Sequence, residues 1–170
     1  MKTAFALSAI AIAFASTAHA ADIPSTDKSF MKKAAEGGAL EIQASQIADQ
    51  KSQDPQVKTF AEKMIADHTK AGDELNALAS SKGVTLPTDP SITQKAKLKL
   101  LDSESGSHFD KSYAKQIGVD AHKDTVALFE KEAANGKDPD VKAFAEKTLP
   151  TLHEHMKMAT DLQSETASKP

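Results

Sequence analysis

Apolar residues recur along this chain every three or four positions rather than at every second one, the spacing of helices that bury one face. The first such segment, expected over 27–53, turns Phe30, Ala34, Leu40, Ala44, Ile47 and Ala48 to one side and Lys32, Gln43 and Gln50 to the other, with Thr26 or Asp27 available as its cap. The second, 55–82, carries Val57, Phe60, Ala61, Met64, Ile65, Leu75 and Leu78, and opens on Pro55, where a missing N–H costs nothing. A third, 107–135, carries Tyr113, Ala114, Ile117, Ala121, Leu128 and Phe129, with Gly136 as its stop. The fourth starts at Asp138-Pro139 and carries Val141, Phe144, Leu149, Leu152, Met156, Ala159 and Leu162. Pro150 falls inside it and is expected to free a carbonyl near Glu146. Nothing alternates in the manner of a strand.

The connections differ in length. A ten-residue phrase occurs twice, at 54–63 and 138–147, and 8 of its 10 positions are identical. Each copy begins with Asp-Pro and opens the second helix of a pair, which marks two short turns and a duplicated helical hairpin. Between the hairpins, 83–107 holds Pro87, Pro90 and a lysine-rich stretch expected to be helical over 91–101. Two hairpins joined by one long crossover is the connectivity of a ferritin-like four-helix bundle, and the fold class predicted is all-α of that kind.

The N-terminus has a separate character. Lys2 precedes an apolar run from Ala4 to Ala15, broken by Ser8, and Ala18-His19-Ala20 has the small-x-small form of a signal-peptidase site. The expected organisation is therefore a signal peptide over 1–20, a helical domain over 21–163 and a frayed tail over 164–170, with a periplasmic location for the mature chain. The apolar run falls short of the roughly 20 residues a membrane span needs. With no cysteine in the sequence, disulfides and thiolate metal sites are excluded. Removing Lys2 from the 21 basic residues leaves 20 against 24 acidic ones, and every one of the 20 is lysine. Without arginine's planar fork, nucleic acid is not an expected partner.

Four polar residues break the helical pattern by projecting onto apolar faces. Glu41 falls among Phe30, Ala34, Ala44 and Ala48; His68 among Ile65, Gly72 and Leu75; His122 among Gly118, Thr125 and Phe129; His155 among Phe144, Leu152 and Leu162. Counted from the Asp-Pro turns, Glu41 and His68 both lie about 20 Å from the first turn, and His122 and His155 both about 25 Å from the second. Both levels fall near mid-bundle, so the four side chains are expected to meet. Three imidazoles and a carboxylate are ligands that suit zinc, copper, manganese or iron. The alternative is a buried hydrogen-bond network of Glu41 and the histidines that fixes helix register. His108 and His153 project toward solvent, as do Glu36, Glu62 and Glu154, and Lys95, Lys97 and Lys99 read as a solvated face of the crossover.

The chain resembles the secreted bacterial envelope proteins known as domain of unknown function 4142, which are grouped with ferritin-like folds. The resemblance rests on 60–68 (FAEKMIADH), on His122 with 126–130 (VALFE), and on 142–155 (KAFAEKTLPTLHEH). It implies a secreted helical protein and brings no catalytic residue. Matching the family's histidines gives His68, His122 and His155. Di-iron carboxylate proteins of the wider group place a Glu three residues before a His on each of two helices. Here those positions hold Ile65, Val119 and Leu152, so a di-iron centre is not expected. Two functions follow: a binding module holding one transition-metal ion or small ligand at Glu41, His68, His122 and His155, or a non-catalytic envelope protein acting on a partner through its helical surfaces. No nucleophile elbow, phosphate loop or dinucleotide motif points to an enzyme.

Overall fold

A computed structural model describes residues 23–169, all of whose regular structure is helical; the expected signal peptide lies outside the described residues. Helix α1 spans Ser25–Lys51, α2 Pro55–Ser81, α3 Ile92–Asp102, α4 Gly106–Tyr113, α5 His122–Asn135 and α6 Pro139–Ala167. A π-helical segment, Ala114–Ala121, joins α4 to α5 without a break, so the third predicted helix is one rod with a wider turn inside it.

The repeated Asp-Pro phrase does the same work twice. Asp54 accepts the Gln56 N–H at 2.9 Å, and Asp138 accepts those of Asp140 and Val141 at 3.0 and 3.2 Å, with proline next in each case. Both side chains satisfy donors that a helix start leaves without partners. The short link 52–54 folds α2 back along α1, and 136–138 folds α6 back along α5. Gly136 ends α5, but with φ −53 rather than the left-handed conformation expected of a terminating glycine. It is needed for closeness instead. A Cβ there would stand 2.7 Å from both the carbonyl oxygen and Oε1 of Glu132.

Two further expectations change. Neither Thr26 nor Asp27 caps α1, which begins after Pro24. Asp27 is fully buried and accepts the backbone N–H groups of Lys137 and Asp138 at 2.9 and 2.6 Å, tying the start of α1 to the α5–α6 turn. Burial opposes its charge, yet these bonds and one from Thr26 hold its pKa below the usual carboxylate value. At the other end of the molecule, α6 runs on to Ala167 instead of fraying from Ser164. Thr166 is buried, and Lys169 pairs with Asp54.

The interior is divided in two. One apolar cluster holds Leu40, Val57, Phe60, Met64, Phe109, Tyr113, Ile117 and Leu162, together with Leu98 and Leu101 of α3. The other holds Phe30, Met31, Leu75, Phe129, Val141, Phe144 and Leu152. The α1–α2 turn lies at the first cluster and the α5–α6 turn at the second. Residues 82–105 must therefore travel from the second cluster to the first before α4 begins, and α3, capped by Ser91 and Gln94 in a reciprocal capping box, covers part of that route.

Candidate metal centre

Along each of the four long helical stretches, one polar residue occupies the boundary between the two apolar clusters. On α2, His68 falls between Met64 and Leu75; on α6, His155 falls between Leu152 and Ala159; His122 follows Ile117 and precedes Phe129; on α1, Glu41 follows Leu40, the first residue of that helix in the first cluster. All four are buried, at 7%, 1%, 0% and 1% exposure for His68, His155, His122 and Glu41.

The four side chains meet, as the helical projection requires. One ring nitrogen from each of His68, His122 and His155 lies within 4.8 Å of the others. The Nε2 atoms of His68 and His122 are 3.4 Å apart. Two nitrogens bound to one tetrahedral ion at about 2.0–2.1 Å lie about 3.3–3.4 Å apart. Two of the rings therefore already have ligand spacing, and the third offers a nitrogen within 4.8 Å of them. Glu41 Oε2 stands at one side, 3.2 Å from His122 Nδ1 and 3.6 Å from His68 Nε2.

The tautomers follow from the partners. His122 Nδ1 is 3.1 Å from the carbonyl oxygen of Ile117, which can only accept, so Nδ1 carries the hydrogen and Nε2 keeps its lone pair. Ile117 belongs to the π segment, and such wide turns are frequent at functional sites. His155 Nε2 is 2.8 Å from Asp67 Oδ2. Burial opposes charge on Asp67, but hydrogen bonds from His155 and Lys63 prevail and hold its pKa low. An ionised Asp67 accepts from Nε2–H, which leaves the lone pair of His155 on Nδ1, a buried atom with no hydrogen-bond partner.

The electrostatics keep all three rings neutral. Burial lowers His68 to about 3, aided by the neighbouring His122 and His155. Burial lowers His122 to about 4 against the opposing bond to Ile117, and it also lowers His155 against the opposing Asp67. Burial pushes the Glu41 carboxyl well above the usual carboxylate range, favouring its protonated form. Neither of its oxygens has a hydrogen bond; the 3.2 Å approach to His122 Nδ1 lacks hydrogen-bond direction because that N–H is aimed at Ile117. Neutral imidazoles are the form that binds a cation, and His122 Nε2 and His155 Nδ1 each keep a lone pair for one.

A family model described as domain of unknown function 4142 matches residues 13–162. The chain belongs to the DUF4142 family. Comparison of this DUF4142 protein with curated proteins gives no match. Among solved structures, it is similar to a DUF305 fragment from Deinococcus radiodurans, with TM-score 0.74 and 12% identity over 84% of this chain and 98% of that one. It is also similar to a conserved hypothetical protein from Mycobacterium tuberculosis, with TM-score 0.62 and 18% identity over 86% of this chain and 94% of that one. At these identities the likeness concerns the helical fold alone.

Asp67 is the site residue that sequence reasoning missed. It stands beside His68 and four residues after Lys63, whose Nζ is 3.0 Å away, so it reads as half of an ordinary surface ion pair. His108 and His153 are exposed and lie apart from the cluster, as their projection indicates. No helix among the described residues is long and apolar enough to cross a membrane.

Proposed function

We propose that this DUF4142 protein is a periplasmic binding module that holds a single transition-metal ion between His68, His122 and His155, with Glu41 as a neighbouring fourth group. The observation that carries the proposal is the unpartnered, buried Nδ1 of His155, a ring in the three-histidine cluster whose other nitrogen is bonded to Asp67. A histidine whose far nitrogen donates to a carboxylate is the arrangement that orients and strengthens a metal ligand. A purely structural network would satisfy its own members. Here both Glu41 oxygens and His155 Nδ1 lack hydrogen bonds, a costly state that a bound cation relieves.

Three imidazoles favour zinc, copper, nickel or iron over magnesium or calcium. One acid at the centre, with Asp67 committed to His155 and Lys63, is too few carboxylates for a dinuclear oxygen-activating site. Binding would displace the proton from Glu41 if its carboxylate joins the ion. The scaffold reading that accompanies this is a ferritin-like bundle of two hairpins. It is supported by the pairing of α1 with α2 and of α5 with α6, and by the end-to-end course of 82–105. The N-terminal sequence supports secretion.

Element analysis of the purified protein after incubation with zinc and dialysis tests the proposal. About one ion per chain is expected, falling to near zero in His68→Ala and His155→Ala. Metal below a tenth of an equivalent, or metal unchanged by those substitutions, overturns it.

A further inference from the structure

A cavity of about 250 Å³ opens among α1, α2, α5 and α6, and His68, His155 and Asp67 form one part of its wall. The wall is otherwise mainly apolar, with Leu75, Phe129, Phe144 and Leu152, and Thr125, Thr148 and Thr151 add hydroxyls to it. Where α1 and α2 line it, Ala34, Gly38, Ala71 and Gly72 keep the walls thin. A Cβ built on Gly38 or Gly72 meets no atom within 4 Å, so the space there is real. Glu41 and His122 do not line it. Glu41 approaches the cluster from the His68–His122 edge, and the cavity borders it through His68 and His155.

We propose that this cavity receives a small, mainly apolar organic acid, whose carboxylate oxygen binds the metal while its hydrocarbon part lies against Leu75, Phe129, Phe144 and Leu152. The inference rests on the metal reading above and adds a ligand class to it. Three protein nitrogens leave a coordination position that a fourth or fifth ligand can fill, and the cavity gives such a ligand a route that Glu41 does not obstruct. Its size, just below the roughly 300–1,000 Å³ of pockets for drug-sized ligands, selects a small molecule. The head group follows from charge. No lysine lines the cavity and Asp67 does, so an anion gains a counter-charge there only from a bound cation. Acid binding is therefore strictly metal-dependent.

Cobalt(II), whose visible absorption reports its ligands, provides the test. The full chain is loaded with cobalt, its stoichiometry is measured, and hexanoate, acetate and hexan-1-ol are titrated in turn, with Gly72→Leu and Gly38→Leu loaded in parallel. Hexanoate should change the cobalt spectrum saturably, binding at least about tenfold more tightly than acetate because of its longer apolar chain. Hexan-1-ol should leave the spectrum as it is. Each glycine variant should keep full cobalt and weaken hexanoate by about tenfold or more; two are used so that the result does not depend on one variant folding. A loaded protein that ignores hexanoate, or answers acetate equally well, overturns the ligand inference and leaves the metal site standing. Failure to load cobalt overturns both.

Discussion

At the scale of single residues, the centre is governed by which nitrogen of each ring is free. Asp67 settles that for His155 and the Ile117 carbonyl settles it for His122. Asp67→Ala should therefore lower zinc affinity by about 10–100-fold while leaving the helical content unchanged, since outer carboxylates of this kind have effects of that size. A competition titration with a chromophoric chelator measures it, and an unchanged affinity would remove Asp67 from the site. The pH response has a definite sign. His68 and His122 have pKa values of about 3 and about 4 when folded, below the ordinary 6.5, so the unfolded chain binds more protons between those values. Their contribution to stability is complete above pH 6.5 and is lost as pH falls toward 4 and 3. Glu41, raised, works the other way: its contribution is complete below 4.5 and is lost as pH rises through its folded pKa. Urea unfolding of the metal-free protein should show stability dropping between pH 6.5 and 4.5, by up to about 1.4 kcal/mol per pH unit for each histidine. His68→Leu should flatten that slope. The four inward residues were readable from sequence because each is polar at a position where helical spacing demands an apolar neighbour. Asp67 was not, because a carboxylate beside a lysine one turn away has the same spacing whether it serves the surface or a buried ring.

At the scale of elements, helical periodicity and the Asp-Pro starts located the long helices to within a few residues, since a proline and a capping aspartate impose the same local geometry wherever they occur. The departures have tertiary causes. Asp27 stands where a cap would, but its carboxylate serves the α5–α6 turn, and no local rule anticipates a partner more than a hundred residues away. The π segment is the larger surprise. A 3.6-residue repeat cannot place both Ile117 and His122, five positions apart, squarely on one face, and the wider turn does. Deleting Gln116, an exposed residue within that segment, should let the rod relax to regular α-helix and separate Ile117 from His122 by about 140° around the helix axis. Circular dichroism is expected to remain helical while zinc stoichiometry falls below half. Full zinc occupancy in the deletion would show that the wide turn does not position the ring.

At the scale of the whole molecule, length and prolines marked 82–105 as a long connection, and its two ends pack against different apolar clusters. The division of the interior into those two clusters was not foreseeable, because apolar stripes look continuous along a helix and the break appears only when four helices bring their polar residues to one level. That layer has a consequence for how the protein comes apart. Each cluster is closed by its own turn and its own ties, Asp27 with the α5–α6 turn at one end and Lys169 with Asp54 at the other. Without a cation, neutral rings and an unpaired acid bind the halves together only weakly across the middle, so the molecule should open as two units rather than one. Native-state hydrogen exchange on the metal-free chain should resolve two groups of slow amides, one around Phe30, Phe129 and Phe144 and the other around Phe60, Tyr113 and Leu162, with different opening free energies. Zinc should merge them into a single group, making the ion the rivet that turns two foldons into one cooperative domain.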